Sequence, residues 1–268
     1  MTSSRRPGGF FLQAMKRIED LKVQNIRWLN SSSYILELTG SEATADIQPG
    51  NFAEIRVDNH PDVFLRRPFS YLDFDEERNM VSFFVKAIGK GTKKLGAMEE
   101  GDNVSLIHPL GNEFSIPENK KVLITGGGSG IAPFIMLGRE LKERGNEVVI
   151  ITGGRTAEDI LFTDEFSAYG EVYCTTEDGS LGEKGLITQH SIFAGELNFD
   201  LIYTCGPDLM MRAIAGIAKE NDIACEASLE NLMACGFGAC LCCIQETTEG
   251  NKCVCTEGPV FNINDLKW

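Results

Sequence analysis

The sequence predicts a multidomain protein of the α/β plus β class, in which an antiparallel β-barrel precedes an α/β domain with a parallel sheet and a small cysteine-rich module. Short segments of alternating apolar and polar residues, separated by Gly, Asn and Pro, fill residues 22–117, and this period of two is typical of the antiparallel strands of a barrel or a sandwich. After residue 117, apolar strands alternate with helical segments, which favours a parallel sheet. Six of the nine cysteines lie between Cys235 and Cys255.

Length and composition limit the functions that the chain can have. Its 268 residues suffice for two domains and a small module. The net charge of -14, from 25 basic and 39 acidic side chains, argues against a nucleic-acid surface, which needs Lys and Arg against phosphates. No apolar run approaches the roughly 18 residues of a membrane span, so we expect a cytoplasmic protein. The predicted divisions are a leader (1–16), the barrel (17–117), the α/β domain (118–224) and the module (225–268).

The predicted barrel carries two stretches suited to a phosphate-bearing cofactor. Its strands are expected at residues 22–28, 33–38, 52–57, 80–85 and 103–107. The first stretch, Arg67-Pro68-Phe69-Ser70, lies between two of these strands, and an extended chain separates Arg67 from Ser70 by about 10 Å. The guanidinium could therefore hold a pyrophosphate while the hydroxyl meets a ring, although an exposed arginine before a turn would look the same.

The second stretch is the glycine-rich turn Gly89-Lys-Gly91-Thr92, which precedes a short helix predicted at residues 93–98. Backbone N–H groups at a helix start, with glycine allowing close approach and Thr92 adding a hydroxyl, make an anion site. A capped helix after a hairpin has the same pattern. The presence of two possible phosphate-binding elements in one barrel nevertheless strengthens the interpretation of each as part of a phosphate site.

A turn rich in glycine follows the first strand of the α/β domain. The strand is predicted at residues 121–125 and a helix extends to about residue 144, with Pro133 near its start. Further strands are expected at 148–152, 172–176 and 201–204. The glycines put small residues where a strand meets a helix whose N-terminus faces outward, as in a Rossmann-like dinucleotide site; the alternative is merely a tight turn. They are Gly126, Gly127, Gly128 and Gly130.

Cys205-Gly206-Pro207 follows the strand predicted at residues 201–204. It should lie at the same sheet edge as the glycine turn, because parallel strands end at one edge. A thiol there could touch a nicotinamide, but a buried cysteine at a strand end is an ordinary finding. Asp208 is expected to cap the next helix.

The cysteine-rich module has the spacing of a plant-type 2Fe-2S site, C-x4-C-x2-C, in Cys235-Gly-Phe-Gly-Ala-Cys240-Leu-Cys-Cys243. A two-iron cluster needs four converging thiolates, and the small residues Gly236, Gly238 and Ala239 let the loop wrap it. A disulfide framework and a zinc site built from Cys240, Cys243, Cys253 and Cys255 are the alternatives. Spacing leaves the fourth iron ligand open.

The chain resembles the ferredoxin-NADP reductase superfamily in the order and spacing of its motifs. With the cysteine module, and with residues 176–180, 226–233 and 258–261, it resembles more closely the electron-transfer subunits of class 1B dihydroorotate dehydrogenase. The resemblance extends over nearly everything after about residue 22. The chain departs from the family pattern at Cys242, in the short gap between Cys243 and Cys255, and in its N-terminal leader.

This resemblance implies three cofactors, namely FAD, NAD and a 2Fe-2S cluster. FAD would be held by Arg67, Pro68, Phe69 and Ser70, by Phe84, Val85 and Lys86 on the next strand, and by Gly91 and Thr92 at the pyrophosphate. NAD would lie on Gly126, Gly127, Gly128 and Gly130 and on Cys205, Gly206 and Pro207. Ser70 near the flavin N5 and Cys205 near the nicotinamide would be the catalytic residues. The implied cluster ligands are Cys235, Cys240, Cys243 and Cys255.

The resemblance also implies a role in pyrimidine (UMP) biosynthesis. Electrons would pass between an FMN-containing dihydroorotate dehydrogenase catalytic subunit and NAD+ through the cluster and FAD, and two copies of each chain would form a heterotetramer. One alternative is the small subunit of an NADH-dependent ferredoxin:NADP oxidoreductase or a sulfhydrogenase-type complex, in which Arg155 would favour a 2′-phosphate. Another is a non-enzymatic redox sensor.

Overall fold

A computed structural model describes residues 16–40, 47–58 and 62–268 of the chain. The predicted leader, apart from Lys16, lies outside these residues. The β-strands are β1 Arg17–Asn30, β2 Ser33–Thr39, β3 Phe52–Ile55, β4 Arg67–Asp75, β5 Met80–Lys86, β6 Asn103–Leu110, β7 Lys121–Gly127, β8 Glu147–Gly154, β9 Glu171–Thr176, β10 Glu183–Lys184, β11 Leu201–Cys205, β12 Ala224–Ser228, β13 Ile244–Thr247, β14 Gly250–Cys253 and β15 Val260–Asn262. The α-helices are α1 Lys90–Leu95, α2 Phe134–Glu143, α3 Thr163–Ser167, α4 Asp208–Glu220 and α5 Val254–Glu257.

Six antiparallel strands close into a barrel in the order β1-β2-β5-β4-β3-β6. Alternating residues such as Ala53 and Ile55 fill its interior, because successive side chains of a strand point to opposite faces. No strand was predicted between residues 57 and 80, but β4 lies there and carries the Arg67 to Ser70 stretch. Pro68 has no N–H to give to its β3 partner Glu54, and the carbonyl of Glu54 accepts a hydrogen bond from Arg66 Nη1 at 3.3 Å.

The α/β domain has a seven-stranded sheet with the strand order β10-β9-β8-β7-β11-β12-β15. Neighbouring strands are parallel except for β12 and β15. Buried apolar side chains on both faces of β7, β8 and β11 pack against α2 and α4, as expected for a parallel sheet. The predicted fold class is therefore confirmed.

Two predicted helix starts were wrong by a few residues. The helix expected at 93–98 is α1, which begins at Lys90, because Gly89 is its N-cap and exchanges hydrogen bonds with Thr92. Helix α4, which follows Cys205-Gly206-Pro207, has Pro207 as its N-cap residue, so Asp208 does not cap it. Asp208 instead lies in the first turn, where its carboxylate accepts a bond from Arg212 at 2.7 Å.

The C-terminal module packs against both other domains. Cys243, Val254 and Cys255 belong to one buried cluster with Phe52 and Leu110 of the barrel. Strand β15 extends the α/β sheet, and β12 crosses the predicted boundary at residue 224. The domain boundaries stay a prediction. In the part of the chain that the structure describes, every helix is too short or too polar to cross a membrane.

Candidate functional site

A cavity of about 490 Å³ opens at the carboxyl ends of the parallel strands. A ligand is expected at this edge of such a sheet. Three predicted nucleotide residues, Gly127, Gly128 and Pro207, line the cavity directly. Arg155, which the ferredoxin-linked alternative assigns to a 2′-phosphate, also lines the cavity. The same wall carries polar side chains that were not predicted to meet the nucleotide, namely Ser129, Asp159, Thr175, Glu177, Thr188 and Glu230.

The glycine turn and the Cys205 motif meet under this cavity. A Cβ atom on Gly130 would lie 2.3 Å from the carbonyl oxygen of Cys205 and 2.5 Å from the backbone nitrogen of Gly206. A Cβ on Gly206 would lie 2.8 Å from the carbonyl oxygen of Gly127, and the φ of Gly206 is +141°. Only glycine fits such contacts, so the structure brings the two predicted nucleotide motifs together.

Lys86 lies on the wall of the nucleotide cavity rather than in the barrel interior. Its Nζ is 3.1 Å from Asp159 Oδ1, and it would be 3.7 Å from a Cβ on Gly128. Partial burial acts to raise the pKa of Asp159, but the Lys86 hydrogen bond and nearby backbone donors lower it overall. The ammonium is therefore close to the turn where a phosphate would lie.

The Cys205 thiol is 1% exposed and does not line the cavity. Burial raises its pKa well above the ordinary value, the charge of Glu230 adds to this, and a hydrogen bond with Ser228 opposes it. The thiol is thus neutral and shielded, and its contact with a nicotinamide stays a prediction. Glu230 itself lines the cavity, and partial loss of water raises its pKa.

The structure brings the two predicted flavin stretches next to each other. A Cβ on Gly91 would lie 3.8 Å from Arg67 Nε, so the guanidinium adjoins the glycine turn. Arg67 Nη1 donates to the carbonyl oxygens of Leu65 and Arg66 at 3.0 and 3.1 Å, which orients it. Ser70 faces outward with its β3 partner Phe52, whereas Phe69 packs partly against the barrel core.

Phe84 and Val85 have side chains in hydrophobic cores. Val85 lies inside the barrel. The Phe84 ring packs edge-on against Phe162 of the α/β domain, with 5.3 Å between centroids. The structure therefore does not bring these two side chains to an open site, and only their backbone groups are left to contact a flavin.

The cluster loop brings predicted iron ligands close to one another. The backbone N–H of Cys255 donates to Cys243 Sγ at 3.4 Å. Partial burial acts to raise the pKa of Cys235, but hydrogen bonds from loop N–H groups and from the Cys240 thiol lower it to about 6. A further backbone donor, Gly238 N–H, lies 3.2 Å from Cys255 Sγ.

This arrangement fits a two-iron cluster, in which four thiolates share two irons. Within the described residues, no group of three or more His, Cys, Asp or Glu side chains is placed to hold a metal ion. All nine cysteines are free thiols, so no disulfide framework exists. Cys242 is exposed, and Cys253 Sγ lies 3.9 Å from the carbonyl oxygen of Gly238.

Two family models match the parts of the chain that form these sites. The iron-sulfur cluster binding domain of dihydroorotate dehydrogenase B matches residues 230–267, and an oxidoreductase NAD-binding domain matches residues 124–216. The dihydroorotate dehydrogenase B (NAD(+)) electron transfer subunit of Shouchella clausii is 37% identical over 241 residues, which cover 87% of this chain and 92% of that relative. The chain belongs to the family of dihydroorotate dehydrogenase B electron-transfer subunits. The predicted family is thereby confirmed, together with the predicted class of oxidoreductase subunit.

Other similarities agree with this family. The corresponding subunit of Caldanaerobacter subterraneus subsp. tengcongensis is 40% identical over 235 residues, covering 86% of this chain and 91% of that relative. Among solved structures, an NADH-dependent reduced ferredoxin-NADP oxidoreductase is 29% identical with a TM-score of 0.83, covering 92% of this chain and 90% of that one. The ferredoxin reductase of carbazole 1,9a-dioxygenase, at 22% identity and a TM-score of 0.68, shares the fold.

Proposed function

We propose that this chain carries electrons between a dihydroorotate dehydrogenase catalytic subunit and NAD+, in pyrimidine biosynthesis. One observation supports this most directly: the barrel contacts both other sites. Lys86 of the barrel reaches the nucleotide cavity, and Glu54 of the barrel lies against Gly236 of the cluster loop. A carrier held by the barrel is therefore next to a nucleotide on one side and an iron-sulfur cluster on the other.

The chain binds FAD, NAD and a 2Fe-2S cluster. When bound, a flavin exchanges a hydride with the nicotinamide and single electrons with the cluster, so it links two-electron and one-electron chemistry. Arg67 and the Gly91-Thr92 turn would hold the pyrophosphate of FAD, and the outward Ser70 hydroxyl would hydrogen-bond near the flavin N5. The glycine turn and Lys86 would bind the NAD phosphates, and the buried Cys205 would lie near the nicotinamide.

The cluster loop is also the docking surface for the catalytic subunit. Leu232, Phe237 and Leu241 in and beside the loop are 83%, 58% and 59% exposed, and exposed apolar side chains gathered at one place mark interaction sites. Burial of this surface would bring the cluster close to the FMN of the partner. The assembly is a heterotetramer of two copies of each chain in the cytoplasm, a compartment that keeps thiol ligands reduced.

The decisive experiment is anaerobic reduction of NAD+ by dihydroorotate, with this protein alone and with the catalytic subunit from the same cells. We expect reduction only when both chains are present, because no orotate site is assigned to this chain. The preparation must first be shown to hold FAD and the cluster. With both cofactors intact, absence of reduction in the mixture would contradict the proposed function.

A second candidate is the ferredoxin-linked oxidoreductase, favoured by the 29% identical structure. Arg155 in the cavity could accept a 2′-phosphate, whereas Asp159 and Glu177 beside it would repel one. We expect the repulsion from Asp159 and Glu177 to outweigh the attraction of Arg155 for a 2′-phosphate, so that NADH is preferred over NADPH. Initial rates of dye reduction with NADH and NADPH test this directly, and a strong preference for NADPH would favour the second candidate.

Lys86→Met should raise the KM for NADH by about tenfold to a hundredfold. A hydrogen bond to a charged group is worth about 1.5–3 kcal/mol, and the variant also leaves Asp159 facing the phosphates without its cation. The measurement is the KM of NADH-dependent dye reduction. Lys120→Met is the matched control, since Lys120 also pairs with an aspartate, Asp200 at 3.0 Å, but does not line the cavity. An unchanged KM for Lys86→Met would refute the assignment.

A further inference from the structure

Glu54, in strand β3, is a fully buried acid that the function described so far does not use. Its exposure is 0%. Both carboxylate oxygens are without a hydrogen-bond partner among the described residues. Because burying an unpaired charge is expensive, such a group in a folded protein calls for a specific explanation.

The side chain of Glu54 points out of the barrel toward the cluster loop. Its neighbours Ala53 and Ile55 face the barrel interior, so Glu54 must face outward. A Cβ atom on Gly236 of the cluster loop would lie 2.9 Å from Glu54 Cγ. The residue next to this glycine is Cys235, a predicted iron ligand.

The same face of the barrel carries the predicted flavin motif. Glu54 is paired across the sheet with Pro68, and Phe52, two residues earlier, is paired with Ser70. Phe52 packs in one cluster with Cys243 and Cys255. Glu54 therefore lies where the proposed flavin site and the proposed cluster site adjoin.

The charged groups around Glu54 do not neutralise it by direct contact. Burial raises the pKa of Glu54 to about 7, the Cys235 charge adds to this, and the charges of Arg66 and Arg67 oppose it. The Arg66 guanidinium donates to the carbonyl oxygens of Glu54 and Ser105, at 3.3 and 2.6 Å, and to Ser105 Oγ at 3.1 Å. These bonds hold it beside the carboxylate without pairing to it.

We propose that Glu54 is a positioning residue for electron transfer, whose buried carboxylate lowers the reduction potential of the 2Fe-2S cluster. The inference rests on the proposed function. An electron added to a cluster ligated by four thiolates increases its negative charge, and a carboxylate shielded from water makes that addition less favourable. A low potential suits electrons that must continue through FAD to NAD+, which is a weak oxidant.

The test is a redox titration of the full chain, loaded with FAD and cluster, followed by the EPR signal of the reduced cluster. At about pH 8.5, above the pKa of Glu54, Glu54→Gln should favour cluster reduction about tenfold, a shift of about 59 mV for one electron. Glu54→Asp keeps the charge and should keep the potential near that of the natural chain. Glu249→Gln is the matched control, because Glu249 is an exposed acid of the same module, paired with Lys252.

The outcomes separate this inference from the proposed function. If Glu54→Gln shifts the reduction potential of the cluster no more than Glu249→Gln does, relative to the unsubstituted chain, the inference is overturned and the proposed function still stands. Glu54→Met, which has a similar size and no charge, replaces the Gln variant if that one assembles no cluster. If neither variant holds a cluster, Glu54 serves assembly and the inference is wrong. An unsubstituted chain that holds no 2Fe-2S cluster would contradict the proposed function itself.

Discussion

Cys240→Ser is expected to abolish the 2Fe-2S cluster and, with it, the reduction of NAD+ by dihydroorotate. Cys240 is one of the four predicted cluster ligands and is exposed in the loop, and a 2Fe-2S cluster of this type requires four thiolates. A serine hydroxyl is a harder and far less acidic ligand than a thiol. The measurements are the EPR signal of the reduced protein and its iron and sulfide content.

Cys242→Ser is the matched control for this experiment. Cys242 is exposed in the same loop, two residues away, but is not one of the four predicted ligands. We expect this variant to keep the cluster, and both variants to keep FAD and NADH-dependent dye reduction, because the nucleotide cavity is built from other elements. A Cys240→Ser protein that retains its 2Fe-2S signal would refute the ligand set, and loss of the signal in Cys242→Ser would require Cys242 as a ligand.

Gly130→Ala is expected to destabilise the α/β domain and to impair NAD binding. The new methyl group would lie 2.3 Å from the carbonyl oxygen of Cys205, and this atom belongs to the backbone of β11, which no rotamer change can move. Overpacking of this kind costs about 1–3 kcal/mol. A loss of about 2 kcal/mol lowers Tm by roughly 8–16 °C in a domain of about 100 residues.

The effect should appear in two measurements, the Tm of the FAD-loaded protein and the KM for NADH. The KM should rise because the Gly127-Gly128 turn and the Gly206-Pro207 segment separate when the methyl group forces them apart. Gly216→Ala is the control, since a Cβ there meets nothing within 4 Å and alanine favours the interior of α4. It should leave the KM unchanged and Tm equal or higher. Equal Tm values for the two variants would show that the close packing at Gly130 is not needed.

Local patterns in the sequence were sufficient for the fold class and for the kinds of site. A period of two predicted barrel strands, and the glycine turn between an apolar strand and a helix predicted a nucleotide site. The cysteine spacing predicted a 2Fe-2S loop. Each of these signals lies within about ten to fifteen residues, because turn chemistry, strand alternation and loop ligation depend on neighbours along the chain. Strand β4 was not predicted, because Pro68 near its start reads as a turn.

The tertiary structure decided which residues are in contact, and several of these contacts could not be predicted from the sequence. The family resemblance assigns Lys86 to FAD, but its side chain crosses from the barrel to the glycine turn of the α/β domain. The Phe84 ring, also assigned to FAD, packs against Phe162. The hydrogen bond from the Cys255 N–H to Cys243 Sγ and the burial of Glu54 under Gly236 join segments that are separated along the chain. Motif spacing determined what each site can bind, because that chemistry is local. Only the packing of the barrel against the other domains determined the surroundings of each side chain, because burial and electrostatics depend on neighbours in space.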